Sequence, residues 1–383
     1  MKDAPRAEGS SVRAAAPRTR RPWLWLAAGL PAGWVLAQAA AAFPALSQVY
    51  GRRLFPAISK TLRNAAELFP FSVAELLLAM FVLLAALLIL RGIVRVLRGS
   101  AKLPAVLAAG LRRAAATAGV GYMAFLLAWG LNYARPALAE KLELEPRPSS
   151  PAELTALCQE LASQSALARR AAVASAQGPF VLGQHPLGAT TVGTALRELA
   201  TRHPGLAELS GPDPLLRFPR LSPILSRLGL AGIWSPFTAE AHVNGDLPDV
   251  LIPFTACHEA AHGRGITRED EASFVAYLAG RRSDDARLRY SANFCAWRTA
   301  IGQLARVDRD AARGLLETAD EGLRSDAQAV RDYWSRVRSW MTDVAHHTND
   351  LYLRSQGEKR GVESYGALVD LLLAERRRRG SEL

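Results

Sequence analysis

The apolar residues of the chain are concentrated in three long runs within its first 135 residues, at 23–46, 73–94 and 114–131. About 20 apolar residues in a helix are enough to cross the hydrocarbon core of a bilayer. The pattern therefore predicts three membrane-spanning helices in an anchor of residues 22–135. A signal peptide is the alternative for the first run, and a buried soluble helix is the alternative for the third.

Beyond residue 135 the pattern becomes that of a water-exposed domain. Residues 136–150 are rich in Pro and indicate a linker, and residues 151–375 follow with helical spacing of apolar positions. We expect helices at 192–202, 269–280 and 293–304 and a long amphipathic helical stretch at 309–345, with 365–375 closing the domain. Residues 234–244 alternate in part and allow a small β edge. The polar, basic residues 1–21 indicate a disordered tail, and 376–383 form a second basic tail.

The charge distribution indicates how the anchor is oriented. The 383 residues carry a net charge of +12. Much of this excess flanks the apolar runs, so it indicates membrane spans rather than a nucleic-acid partner. The tail and residues 91–113 contain six Lys or Arg each, whereas 47–70 contain four. The positive-inside rule then places the tail in the cytoplasm and, after three crossings, the domain on the outer side.

The strongest chemical motif is His258-Glu-Ala-Ala-His262. Residues four apart share one face of a helix, so both imidazoles can point at one Zn²⁺. Glu259 beside them can act as a general base toward water. Pro253 and Thr255 precede the expected helix, and glycines end it. The alternative is a surface helix with two solvated histidines.

A catalytic zinc usually takes a third protein ligand, and two carboxylates compete for this role. A tight turn after the helix would place Glu271 opposite the histidine pair. The segment that begins with Glu269, Glu-x-x-Ala-Ser, instead resembles the Glu-x-x-small-Asp/Asn pattern of gluzincin-type peptidases. That resemblance implies Glu269 as the ligand and Ser273 as the residue that orients a ligand histidine. Arg268 rules out a third histidine at that position.

Several other residues could take part in the chemistry. The oxyanion of a peptidase reaction could be stabilised by a phenol or an imidazole, and the candidates are Tyr290, Tyr365, His346 and His347. Glu240 and His242 either border the cleft or are satisfied surface groups. Cys257 and Cys295 could form a bridge, although isolated thiols are favoured for all three cysteines.

Taken together, these motifs resemble a bacterial family of membrane proteins catalogued only as a domain of unknown function. The matching segments cover most of residues 45–375, and they are 70–72, 129–133, 236–244, 253–262, 268–274, 290–291, 352–354 and 364–366. One departure is Ser273, where the family is expected to carry Asn. The resemblance implies a mainly α-helical protein in which a zincin-like domain follows the membrane anchor.

These patterns predict a zinc-dependent endopeptidase with three lipid-embedded helices, located in the bacterial inner membrane with its domain outside. Its substrate would be a peptide or protein, with no nucleic acid involved, and its oligomeric state is open. Cleavage within the bilayer is disfavoured, because the motif lies far from the last apolar run. The alternative is a membrane sensor or envelope assembly protein that binds zinc without turnover.

Overall fold

The computed structural model describes residues 22–173, 178–183, 187–355 and 367–381. Within them the protein is mainly helical, with one small three-stranded sheet. The predicted mainly α-helical class is therefore confirmed. The predictions for residues 1–21 and for Tyr365 fall outside the described residues.

The first part of the chain consists of helices and their connections. Among the described residues, two apolar segments are long enough to cross a membrane: Trp23–Ala42, with a mean hydropathy of 1.4, and Val73–Leu97, with a mean hydropathy of 2.9. The elements of this part are α1 Pro22–Ala27, α2 Gly29–Ala42, α3 Pro44–Val49, a π-helical turn Tyr50–Leu54, α4 Phe55–Glu67, α5 Val73–Leu97 and α6 Leu103–Ala128. Their length and composition are compatible with membrane association.

By length and hydropathy two helices qualify as candidate spans among the described residues, and the predicted third span at 114–131 is not one of them. The run lies in α6, where Arg112 and Arg113 precede it and the helix ends at Ala128. Its many Ala and Gly residues are also much less hydrophobic than the Leu-rich sequence of α5.

Close backbone contact joins α6 to the first two helices. A Cβ atom on Gly119 would lie 2.1 Å from the Leu26 carbonyl oxygen, and one on Gly29 would lie 2.3 Å from the Gly119 carbonyl oxygen. Glycine is therefore required at both positions, as at other crossings where small residues let helix backbones approach. Through this packing α6 returns the chain to the helical domain.

The helical domain is built around one hydrophobic core. Its helices are α7 Leu138–Lys141, α8 Pro151–Ala172, α9 Ala189–Arg202, α10 Ser222–Leu228, α11 Ile252–His262, α12 Glu269–Gly280, α13 Ala286–Val307, α14 Arg309–Thr318, α15 Glu321–Val337, α16 Trp340–Ser355 and α17 Ala367–Ser381. Short 3₁₀ turns span Gly130–Ala134, Pro204–Leu209 and Asp249–Leu251. Helices α8 and α13 pack along each other in the middle of the core.

Several predicted boundaries differ from the structure. The stretch 309–345 is divided into α14, α15 and the start of α16, because Asp320 caps α15 and stops the preceding helix. Residues 136–150 contain α7 and bury Leu138, Leu142 and Leu144 in the core. The basic C-terminal residues belong to α17, where Arg377 pairs with Glu153 at 2.9 Å.

The small sheet consists of β1 Leu215–Arg217, β2 Gly232–Ser235 and β3 Glu240–Val243, in the order β1-β3-β2. Strand β1 pairs with β3 in parallel and β2 pairs with β3 in antiparallel orientation. The predicted extended segment 234–244 is therefore a hairpin, in which Ala239 adopts a positive φ of 54°. Strand β2 forms the edge of the sheet and packs against α11.

The connection between the two apolar helices is docked onto this domain. The Arg63 Nε donates to the Asp213 carbonyl at 2.9 Å. Buried Glu240 on β3 accepts hydrogen bonds from the first two amides of α5, those of Val73 at 3.0 Å and Ala74 at 2.8 Å. A carboxylate is favourable at a helix N-terminus, where backbone amides lack partners. The connection and the domain therefore lie on the same side of the apolar helices.

Candidate metal centre

Helix α11 carries the paired histidines. It begins at Ile252, earlier than predicted, because Pro253 is accommodated in the first turn, where no intrahelical amide is needed. Gly263 follows the last helical residue, as expected. Gly265 has a φ of +83°, a conformation that favours glycine, and this turn leads the chain into α12.

The structure brings together three side chains, those of His258, His262 and Glu269. The two Nε2 atoms are 3.1 Å apart, and the Glu269 oxygens lie 3.1 Å from His258 Nε2 and 3.6 Å from His262 Nε2. Ligands about 2.1 Å from a tetrahedral zinc are separated by about 3.4 Å. The three side chains therefore bring donor atoms to within 4.8 Å of one another, close to the spacing that one zinc ion requires.

Glu271 is held elsewhere by different partners. Its Oε1 accepts the Leu138 amide at 2.7 Å and pairs with Arg268 at 3.0 Å. Two residues apart on α12, Glu269 and Glu271 point about 200° away from each other around the helix axis. Of the two competing carboxylates, Glu269 is the one that the fold places beside the histidines.

Each histidine is oriented by a partner at its other ring nitrogen. The Nδ1 of His262 lies 2.7 Å from the Ile266 carbonyl oxygen, which can only accept, so in the neutral imidazole this nitrogen carries the proton and Nε2 keeps the lone pair. The Nδ1 of His258 lies 3.1 Å from the Ser273 hydroxyl. Ser273 thus occupies the orienting position that the resemblance to gluzincins implies for it, with a shorter side chain than the expected Asn.

Glu259 is buried next to the centre and against the edge strand. A Cβ atom on Gly232 would lie 2.5 Å from the Glu259 Oε1, so only glycine leaves room for this carboxylate. Burial raises the pKa of Glu259 to about 7, with a further increase from Glu269 and an opposing effect of both histidines. A carboxyl group with a pKa near neutrality can both accept and return a proton.

The charges within the centre depend on one another. Burial disfavours the charged form of His262, but the neighbouring Glu269 outweighs it and raises the pKa of this imidazole to about 9. Burial likewise disfavours the charged form of Glu269, but His262 and His258 lower the pKa of this carboxyl well below its ordinary value. Without metal, an imidazolium–carboxylate pair thus forms where a divalent cation would fit.

The proposed zinc binding should therefore depend on pH, because the imidazole of His262 must lose a proton when zinc binds. Because zinc needs the neutral imidazole, it must displace the proton that a pKa of about 9 retains at pH 7. We expect affinity to rise about tenfold per pH unit from pH 7 to 8.5, with release of about one proton from this site. Calorimetry in buffers of different ionisation enthalpy would measure this release. An affinity that is flat above pH 7 would contradict the raised pKa.

The edge strand leads to Glu259. The Asn244 amide donates to the Ala231 carbonyl at 2.9 Å, which sets the alternation of hydrogen bonds between β2 and β3. By this alternation the backbone groups of Gly232 and Trp234 face away from β3. The Trp234 backbone also lies close enough to Glu259 to oppose the rise in the pKa of its carboxyl. An extended chain paired with this edge would therefore pass beside the candidate base.

The other predicted residues lie apart from this centre. The Tyr290 hydroxyl donates to buried Asp326, and burial together with Asp326 raises the pKa of this phenol well above its usual range. This placement does not support the predicted oxyanion role of Tyr290. His347 is exposed on α16. The side chain of His346 and all of Tyr365 lie outside the described part of the chain.

Three further predictions concern polar and sulfur-containing residues. Glu240 and His242 are buried rather than exposed, and His242 Nε2 lies 2.8 Å from the hydroxyl of Ser72 at the start of α5. Both are therefore satisfied residues that fasten α5 to the sheet. The three cysteines are free and buried, which confirms isolated thiols.

Sequence reasoning missed the part that Trp129 plays in this centre. Its Nε1 donates to the His262 carbonyl at 3.0 Å, and its ring contacts the imidazole edge to face at 5.9 Å between centroids. A Trp at the end of an apolar run is equally typical of a membrane interface, where this residue is enriched. No signal in the sequence connects two residues that are 133 positions apart.

Comparison with known proteins identifies a family but no activity. A family model described as "Protein of unknown function (DUF3810)" matches residues 50–373. The matched region begins in the π-helical turn before α4, ends within α17 and contains the whole candidate centre. No curated protein and no solved structure matches the chain.

Proposed function

The chain belongs to the DUF3810 family of proteins of unknown function, and we propose that this member is a membrane-anchored, zinc-dependent peptidase. The predicted resemblance to an uncharacterised family is confirmed by that membership. The observation that carries the proposal is the combination of His258, His262 and Glu269, whose donor atoms lie within 4.8 Å of one another, with buried Glu259 beside them. This donor set, two imidazoles and one carboxylate, is the one that catalytic zinc uses in several peptidases.

Zinc would be held by His258, His262 and Glu269, with one coordination position left for water. When bound, it would supply Lewis acidity and lower the pKa of that water. Glu259 would accept a proton from the attacking water and then deliver it to the leaving amine. Its pKa of about 7 suits both steps.

The substrate would be an extended peptide. Its backbone would pair with the outward-facing groups of Gly232 and Trp234, in the mode by which peptides add a strand to the edge of a sheet. Such pairing fixes the scissile bond relative to Glu259 with little dependence on side chains. This geometry favours an endopeptidase acting on unfolded or flexible segments.

The proposed location is the cell membrane, with the domain outside the cytoplasm. The N-terminal tail carries six Lys or Arg residues, which favours the cytoplasm for that end. The apolar segment Trp23–Ala42 then leads to the connection before α5, on the opposite side. Helix α5 would cross back, and α6, which is less apolar but packs against α1 and α2, would return the chain to that opposite side. Because Arg63 and the start of α5 are bound to the domain, the domain would lie there too.

Metal analysis and a Glu259→Gln variant test the proposal together. The full chain in detergent should bind about one zinc, and His262→Ala should lose it. Glu259→Gln should retain zinc but produce none of the new protein N-termini that the wild type generates in membranes. His347→Ala, which changes an exposed imidazole, is the matched control and should behave as wild type.

The outcomes separate the peptidase from the sensor. Failure of the wild type to bind zinc would overturn the metal centre and with it the enzyme. Zinc binding combined with identical N-termini in wild type and Glu259→Gln would instead support a protein that binds zinc without turnover.

A further inference from the structure

A large basic pocket lies between α4 and the helical domain. It has a volume of about 780 Å³, within the range of about 300–1,000 Å³ typical of small-molecule sites. One acid, Glu208, and six bases line it, and the bases are Arg52, Lys60, Arg63, Arg135, Lys141 and Arg264. The lining thus carries a large positive excess.

Carboxylates neutralise only part of this charge. Glu208 is shared between Arg135 at 2.8 Å and Lys141 at 2.5 Å, so one acid serves two bases. Arg63 pairs with Glu67 on its own helix at 2.8 Å. Burial and the nearby Arg135 lower the pKa of Lys141 although Glu208 opposes them, which indicates that positive charge is crowded here.

The other three bases form no ion pair with any residue that the structure describes. Arg52 and Lys60 are exposed at the mouth of the pocket. Arg264 donates to the Pro212 carbonyl, but its Nε is buried and has no hydrogen-bond partner within the described structure. A buried guanidinium donor without an acceptor is costly unless a ligand supplies one.

We propose that this pocket binds a phosphate group, carried either by an anionic lipid headgroup or by a free phosphate compound. Four of the six bases are arginines, whose forked guanidinium groups match phosphate oxygens in bidentate fashion. The pocket wall formed by α4 belongs to the connection between the two apolar segments, so the site lies at the base of the anchor. The inference does not rest on the proposed peptidase.

The test uses the full chain in an uncharged detergent. A chelator first removes any metal, so that phosphate cannot give a binding signal by coordinating zinc at the metal centre. Calorimetric titrations with inorganic phosphate, with soluble short-chain phosphatidylglycerol and with short-chain phosphatidylcholine form three arms. The variant is Arg52→Gln with Lys60→Gln, since both side chains are exposed and their loss leaves the core intact. The matched control is Arg298→Gln with Arg324→Gln, two exposed arginines outside the pocket.

We expect saturable binding that the pocket variant weakens at least about tenfold and the control variant leaves unchanged. Binding of phosphatidylglycerol in preference to phosphatidylcholine would support the proposal with a lipid as the source. Binding of inorganic phosphate alone would support it with a free phosphate compound as the source. Absence of binding in all arms, or equal weakening in both variants, would overturn it.

Discussion

Replacing Glu269 by Gln should weaken zinc binding by at least about hundredfold. The amide keeps the size of the side chain but removes the charge of a carboxylate whose Oε2 lies 3.1 Å from His258 Nε2 and whose Oε1 lies 3.6 Å from His262 Nε2. Loss of a residue that merely orients a ligand already costs about 10- to 100-fold, and loss of a ligand should cost more. Competition with a chromophoric zinc chelator would measure the affinity.

Glu271→Gln is the matched control, because the same chemical change is made two residues away. It should leave zinc affinity nearly unchanged but lower thermal stability, since the Glu271 carboxylate accepts the Leu138 amide and pairs with Arg268. Zinc affinity should therefore fall in Glu269→Gln and not in Glu271→Gln, whereas the loss of the Leu138 and Arg268 contacts should lower the thermal stability of Glu271→Gln. If Glu271→Gln lost zinc while Glu269→Gln retained it, the assignment of the third ligand would be wrong.

The centre could be predicted from sequence where its geometry is local. The spacing of His258 and His262 fixes both side chains on one helical face. Glu269 lies only seven residues further, after a turn that the positive φ of Gly265 makes possible. Local spacing left Glu269 and Glu271 as alternatives because it does not fix the angle between α11 and α12. The tertiary contacts of Leu138 with Glu271 settle where that carboxylate lies.

The rest depends on contacts between distant parts of the chain. Tyr290 was a reasonable oxyanion candidate by residue type, but its partner Asp326 is 36 residues away on α15. The third apolar run was overestimated because Ala and Gly count as apolar while adding little hydrophobicity. The link between Ser72 and His242, which spans 170 residues, has no sequence signature at all.

Replacing Asp326 by Ala should destabilise the helical domain by about 3–5 kcal/mol. Asp326 accepts from Arg169 Nε at 2.8 Å, from the Phe180 amide at 2.5 Å and from the Tyr290 hydroxyl. The side chains of Arg169 and Asp326 are only 3% and 1% exposed, so the variant leaves a buried guanidinium without its counter-charge. Denaturant or thermal unfolding of the full chain in detergent would measure the loss.

The matched control is Asp332→Ala on the same helix, where the carboxylate is exposed and bonds to Gln328 at 2.6 Å. It should change stability by less than about 0.5 kcal/mol. Arg169→Met combined with Asp326→Leu should recover part of the loss, because a buried ion pair can be exchanged for apolar side chains more cheaply than one partner can be removed. Equal stability of Asp326→Ala and Asp332→Ala would show that this network does not hold α8, α13 and α15 together.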